Sequence, residues 1–211
     1  MNQWFDLTVA LMIVMNFMLL NTSRLMSCIR IVAIQAVVVS VIALLSHLHS
    51  LDFRLIVLVI ITVSLKAVVL PMVLKRVTIG TGIERELEPF VGYSLSLMAG
   101  GGLLGISFFM AHFLSVPNAG LSEFFLPASL FTIFTGLFII IARKKAVTQV
   151  MGYMAMENGI YAFGVSLAIQ EPFIVELSVL LDVFVAVLIM GVAIFHISHE
   201  FDHIDTDQLS V

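Results

Sequence analysis

Charged side chains are what this sequence has least of: they make up 11% of its 211 residues, while hydrophobic residues make up 61%. A soluble domain typically runs at about 25% charged and about 45–50% apolar. So few polar groups cannot cover a water-facing surface, which excludes an ordinary soluble domain although the length alone would allow one or two. Basic residues are scarce as well, ten Lys and Arg against fourteen Asp and Glu. No run of them could grip a polyanion, and nucleic-acid binding has no support. Cysteine occurs once, as Cys28. It excludes an internal disulfide, has no partners for a metal or redox motif, and reads as a small apolar filler. The chain also lacks a phosphate loop, a dinucleotide fingerprint, a hydrolase serine elbow and a metalloprotease helix, which removes the common soluble-enzyme classes.

What is present is a series of apolar runs. About seven are long enough to cross a bilayer: Trp4–Leu20, Leu25–Leu45, Leu55–Leu74, Phe90–Leu114, Leu121–Ile141, Val147–Ile169 and Phe173–Ile197. Polar or turn-forming residues punctuate them at Asn21 to Ser23, His47 to Asp52, Gly80 to Glu88, Pro117 to Gly120, Arg143 to Lys145 and Gln170 to Pro172. The first run carries Asp6 near its start, is not preceded by a basic stretch and has no small-residue cleavage site, so it reads as a retained helix and not a signal peptide. The expected fold is all-α, a polytopic integral membrane helical bundle. Gly100, Gly101, Gly102 and Gly105 in the fourth run signal either close helix packing or a flexible kink.

Basic residues favour the cytoplasmic side of a membrane. Alternate loops hold Arg24 and Arg30, then Lys75, Arg76 and Arg85, then Arg143, Lys144 and Lys145, whereas the opposite loops hold only Arg54. This places the N-terminus outside the cytoplasm. With an odd number of spans, the tail bearing Glu200, Asp202, Asp205 and Asp207 is inside. A weak internal pattern divides the chain into an N-terminal three-helix unit (1–76), a loop and connecting helix (77–120) and a C-terminal three-helix unit with its acidic tail (121–211). Two parallel three-helix repeats or convergent hydropathy account for it equally.

Lys66, Glu157 and Asp182 carry the functional reading. Each lies about ten residues from a predicted helix end, which at about 1.5 Å per residue is near mid-membrane. A charge there costs roughly 2.5–3.5 kcal/mol on insertion scales, so such groups face a bundle interior or a hydrated cavity. Desolvation penalises the charged form of acids and amines alike, which suits buried groups to proton exchange. A carboxylate and a lysine at one depth form either a relay or an ion pair acting as polar glue. Asn158, beside Glu157, could hydrogen-bond between helices. Gln35 sits at mid-depth, either structural or on a water chain, and Glu176 reads as interfacial. His112 ends the fourth run at an interface; His196, His199 and His203 share a helical face but have no cysteines or ordered acids to complete a zinc site.

The stretch R-K-K-A-V-T-Q-V-M-G-Y-M-A-M-E-N-G, Arg143 to Gly159, followed by L-L-D-V-F-V-A-V, Leu180 to Val187, resembles component E of hydrogenase-4, a membrane subunit of formate hydrogenlyase-type complexes. Lys66 followed by Pro71, and Arg24 before Cys28, look like that family's N-terminal region, so the likeness covers most of the chain and is weakest over Thr78 to Gly120. The last three helices in turn are similar to the small K-type subunit of respiratory complex I, whose buried glutamates belong to a proton path. Matching from Gly152 puts that family's first glutamate at Met154, while the acid here is Glu157, one turn later; the second corresponds to Asp182.

The resemblance implies a multi-pass subunit in a prokaryotic inner (plasma) membrane. It would be non-catalytic on its own, with antiporter-like and other membrane-arm subunits, a peripheral hydrogenase arm and lipids as partners. A NiFe centre and iron–sulfur clusters would lie in partner subunits and no cofactor in this chain. Proton or sodium movement would run through Lys66, Glu157 and Asp182. A structural connector, a subunit of a related multi-subunit cation/proton antiporter and a free-standing secondary transporter stay open as alternatives.

Overall fold

A computed structural model describes residues 2–46, 57, 60–61, 63–80, 90–114 and 122–166. The seventh run, with Glu176, Asp182 and the three distal histidines, lies outside the described residues, as does the acidic tail. Six α-helices account for nearly all of what is described: α1 (Asn2–Asn21), α2 (Leu25–Ser46), α3 (Leu70–Gly80), α4 (Tyr93–Phe113), α5 (Phe125–Ala142) and α6 (Ala146–Ser166). A π-helical turn, Ser64–Val69, runs directly into α3. The all-helical expectation holds among the described residues, and it has a plain cause. Where no water reaches the backbone, each N–H and C=O must be satisfied within the segment, which a helix does.

Among the described residues, three helical segments are long and apolar enough to cross a membrane: Leu25–Leu44, Tyr93–Phe113 and Phe125–Ala142. The apolar part of α1, Phe5–Asn21, is shorter. Large apolar side chains lie on the outside while several polar ones lie inside, unlike the usual water-soluble protein. Met98, Phe113 and Ile141 are 74%, 69% and 75% exposed, while Asn16, Gln35 and Glu157 are at 0%, 0% and 1%. Apolar atoms outside and polar atoms inside is the arrangement a lipid solvent selects, because an unpaired polar group in hydrocarbon is costly.

Two clusters of buried side chains define the ends of the bundle. One joins Leu19 and Leu20 at the close of α1, Leu25 and Cys28 at the start of α2, Leu74 in α3, Ile139 late in α5, and Val147 and Met151 early in α6. The other joins Phe5 and Val9 of α1, Ile42 and Ala43 of α2, Phe125 and Ala128 of α5, and Tyr161 and Ala162 of α6. Successive helices therefore alternate in direction. α4 fits the alternation, with Tyr93 beside Arg143 at the first end and the Phe108 ring 6.2 Å from Phe124 at the second. Arg24, Lys75, Arg76, Arg143, Lys144 and Lys145 consequently gather at the first end, and Asp6 and Glu123 lie at the second.

Among the described helices the most extensive contact is between α5 and α6, and α6 also packs on α2. Lipid supplies no hydrophobic drive for helix association, so close packing must do it. Glycines permit that closeness. A methyl group on Gly159 would lie 2.6 Å from the Ile133 backbone nitrogen, and one on Gly152 would lie 2.9 Å from the Gly136 carbonyl oxygen. In α4 the two readings of the glycine run separate by residue. Gly100 packs closely against Leu20 and Phe17, while a methyl group on Gly101, Gly102 or Gly105 would meet nothing within 4 Å.

The third apolar run continues as helix beyond Leu74 to Gly80, carrying Lys75 and Arg76 on its last turns. Helical hydrogen bonding does not stop where the apolar stretch does. Pro127 sits within the first turn of α5, where its missing N–H costs nothing.

Candidate functional site

Pro71 explains the local geometry at Lys66. It has no N–H to donate to the carbonyl four residues back, and the helix accommodates this by widening. The Leu70 N–H bonds to Leu65 O, five residues behind it, which makes Ser64–Val69 a π-turn that carries Lys66. Such insertions re-aim the side chains they carry and recur at functional sites. Here the Lys66 side chain is directed into the bundle, and the residue is 4% exposed.

Its Nζ lies 2.9 Å from Oε1 of Glu157, with both side chains almost wholly buried. Among the described residues Oε1 accepts no directed hydrogen bond, so the contact is held by charge rather than by a well-aligned N–H. The ammonium also lies over the Tyr161 ring, 5.9 Å from its centroid. Glu157 and Tyr161 are one turn apart on the same face of α6. The two alternatives of relay and pairing thus start from one fact: Lys66 and Glu157 are partners.

The G-Y-x-x-M-E-N-G segment now has a physical reading. Gly152 and Gly159, two turns apart, face α5; Glu157 faces Lys66; Asn158 donates from Nδ2 to the Val32 carbonyl of α2 at 3.2 Å. Each part of the motif serves a different neighbour, because α6 is surrounded on several sides. Asn158 makes the interhelical bond expected of it.

Gln35 does not join the ion pair. Its Nε2 donates to Asn16 Oδ1 at 3.0 Å, Asn16 Nδ2 donates to Thr132 Oγ1 at 2.7 Å, and Thr132 Oγ1 donates to Ala128 O at 2.8 Å. This directed chain links α2, α1 and α5, and Gln35 Oε1 and Thr135 Oγ1 are buried without a partner among the described residues. Asn16, Thr132, Thr135 and Tyr161 are not distinguished by the sequence. Uncharged polar residues barely disturb an apolar run, and the only available signal is their position within it.

Arg143 differs in another way from its reading as a loop cation. It does lie in the α5–α6 connection, but it is 2% exposed. Its Nη2 donates to Leu20 O at 2.9 Å, Nη1 reaches Val91 O at 3.5 Å, and the guanidinium stacks 4.5 Å from the Tyr93 ring centroid. A cation against the carbonyl end of α1 complements its dipole and ties α1 to the entry of α4. His112 lies near the end of α4, edge-on to Phe113. No group of three metal-ligating side chains occurs among the described residues.

The wide turn yields a test of its own. Pro71→Ala restores the missing N–H, and relaxation of the π-turn to regular helix would rotate Lys66 by about 100° relative to α3, one residue's worth. With Lys66→Cys and Glu157→Cys in the same chain, a short bifunctional thiol reagent is expected to crosslink the pair at least about tenfold more slowly once Pro71→Ala is added.

No family model matches the chain, and no solved structure matches it. A Mycobacterium tuberculosis protein named "Uncharacterized protein Rv0085" is 32% identical over 186 residues, 88% of this chain and 84% of that protein. A match of that length on this chain takes in both position 66 and position 157, and the chain belongs to the family of that mycobacterial protein.

Proposed function

We propose that this protein is a non-catalytic membrane-arm subunit of a complex I-related, membrane-bound [NiFe] hydrogenase of the hydrogenase-4 type. In that role it contributes to proton or sodium translocation through Lys66, Glu157 and Asp182. The chain would lie in a prokaryotic inner membrane as about seven spans, N-terminus outside and C-terminus in the cytoplasm, against antiporter-like neighbours and a peripheral arm that holds the metal centres. The observation that carries the reading is the Lys66–Glu157 contact at 2.9 Å inside an apolar bundle. Two opposite charges are kept where their desolvation is expensive, in a geometry that lets a proton alter the balance between them. The gathering of the described basic residues at one end supports the orientation.

In this mechanism a proton arriving at the Glu157 carboxylate neutralises it and weakens its hold on the ammonium. Departure of the proton restores the pair. Asp182 would take the proton on or supply it. Glu157→Gln keeps an acceptor oxygen for Lys66 and Asp182→Asn keeps the size of its side chain. Each is therefore expected to leave the complex assembled while lowering coupled ion pumping at least about tenfold, the scale expected for losing a proton-transfer group. Unchanged pumping in both variants would sink the reading.

A second reading has its own support in the directed Gln35–Asn16–Thr132 chain, which is polar glue by construction. If the protein is a structural connector, the two substitutions should lose assembly and turnover together. Identifying the subunits that copurify with the chain separates both from a free-standing transporter or an antiporter subunit, since a nickel-binding partner belongs only to the hydrogenase.

A further inference from the structure

We propose that Tyr161 is a second seat for the Lys66 ammonium, a positioning residue that keeps the cation against α6 while Glu157 is neutral. The inference rests on the reading in which Glu157 takes up and releases a proton, and it assigns a part to a residue that this reading leaves unused. Glu157 and Tyr161 occupy successive turns of one face of α6, and Lys66 Nζ touches the first at 2.9 Å while lying over the second at 5.9 Å. A lysine has a flexible four-carbon stem and a compact charge, so it can shift between two such neighbours without moving its helix. Tyr161 is 5% exposed, and an aromatic face attracts a cation more strongly when both are removed from water.

The two seats answer differently to a proton. A charged carboxylate attracts the ammonium more strongly than a ring face does. Once the carboxylate carries a proton its Coulomb attraction is gone, while the ring quadrupole is unchanged. The ammonium then has a neighbour one turn along that still favours its charged form. Tyr161 does no chemistry in this scheme; it sets where Lys66 waits.

Thermal unfolding of the full-length purified chain tests the idea, because melting does not depend on ion transport. Tyr161→Met removes the ring while filling the space, and Tyr161→Phe keeps the ring. Each is made in the natural background and in one where the pair is neutral, Lys66→Met with Glu157→Gln. The expected result is that Tyr161→Met lowers the melting temperature by about 2–4 °C more in the natural background than in the neutral one. Tyr161→Phe should cost the same in both. An equal cost of Tyr161→Met in the two backgrounds would show that the ring only packs, and would overturn the proposal. Should Tyr161→Met fail to fold, recovery of folding in the neutral background supports the seat and absence of recovery overturns it. A chain that shows the coupling but whose complex pumps no ions keeps the seat and loses the translocation reading.

Discussion

Replacing Glu157 with leucine is expected to cost about 3–5 kcal/mol of stability, the range for removing one member of a buried ion pair. For a chain of this size that lowers the melting temperature by roughly 6–20 °C. The reason lies in the surroundings. Lys66 is 4% exposed, and Leu at 157 removes the carboxylate that faces its ammonium. Glutamine at the same position retains one oxygen, which is why Glu157→Gln is the variant suited to measuring transport and Glu157→Leu the one suited to measuring stability. Adding Lys66→Met to Glu157→Leu should recover most of the loss, since a buried pair replaced by apolar groups of similar volume is often neutral or better. The measurement is a double-mutant cycle on melting temperature in one detergent. If the double variant is no more stable than Glu157→Leu alone, the destabilisation comes from packing at α6 and not from the charge.

The second large effect is expected at the α5–α6 crossing. Gly136→Ala and Gly159→Ala should each cost more than about 3 kcal/mol, at or beyond the usual upper range for overpacking. At Gly136 the added carbon would collide with the Met156 backbone nitrogen and the Gly152 carbonyl oxygen, and at Gly159 with the Ile133 nitrogen. Backbone atoms cannot swing aside as a side-chain tip can, so the two helices must separate along their length. The same substitution at Gly101 or Gly105 meets nothing within 4 Å, and should leave stability unchanged or raise it by up to about 1 kcal/mol through better helix propensity. Yield of folded, monodisperse protein together with melting temperature reads all four variants. Equal behaviour of the two sets would mean that α5 and α6 do not cross at these glycines.

Much of the helical layout was legible from hydropathy. The expected run Leu25–Leu45 corresponds to α2 at Leu25–Ser46, Trp4–Leu20 to α1 at Asn2–Asn21, and Phe90–Leu114 to α4 at Tyr93–Phe113. Apolar runs of this length bounded by polar turns leave the backbone little choice in a lipid solvent. The end of α3 was not legible, because Lys75 and Arg76 read as loop when judged by polarity and are helical by hydrogen bonding. The burial of Arg143 was hidden for a similar reason. A basic residue in a short connection looks solvated until the carbonyls of Leu20 and Val91 and the ring of Tyr93 are brought around it.

Lys66 and Glu157 could be singled out by type and depth alone, since an ionisable residue deep within an apolar run is rarely neutral in its consequences. What the sequence by itself determined was that these residues are buried in a helical membrane bundle and need partners. That they partner each other was decided by tertiary structure. They lie 91 positions apart, and no local rule relates them. Their meeting depends on the wide turn imposed by Pro71 and on the close seating of α6 against α5 at Gly136, Gly152 and Gly159. The presence of Tyr161 beside the ammonium, and the diversion of Gln35 to Asn16, were decided there too. Hydropathy records the cost of placing a polar group in the bilayer, and only the packed bundle settles which group offsets it.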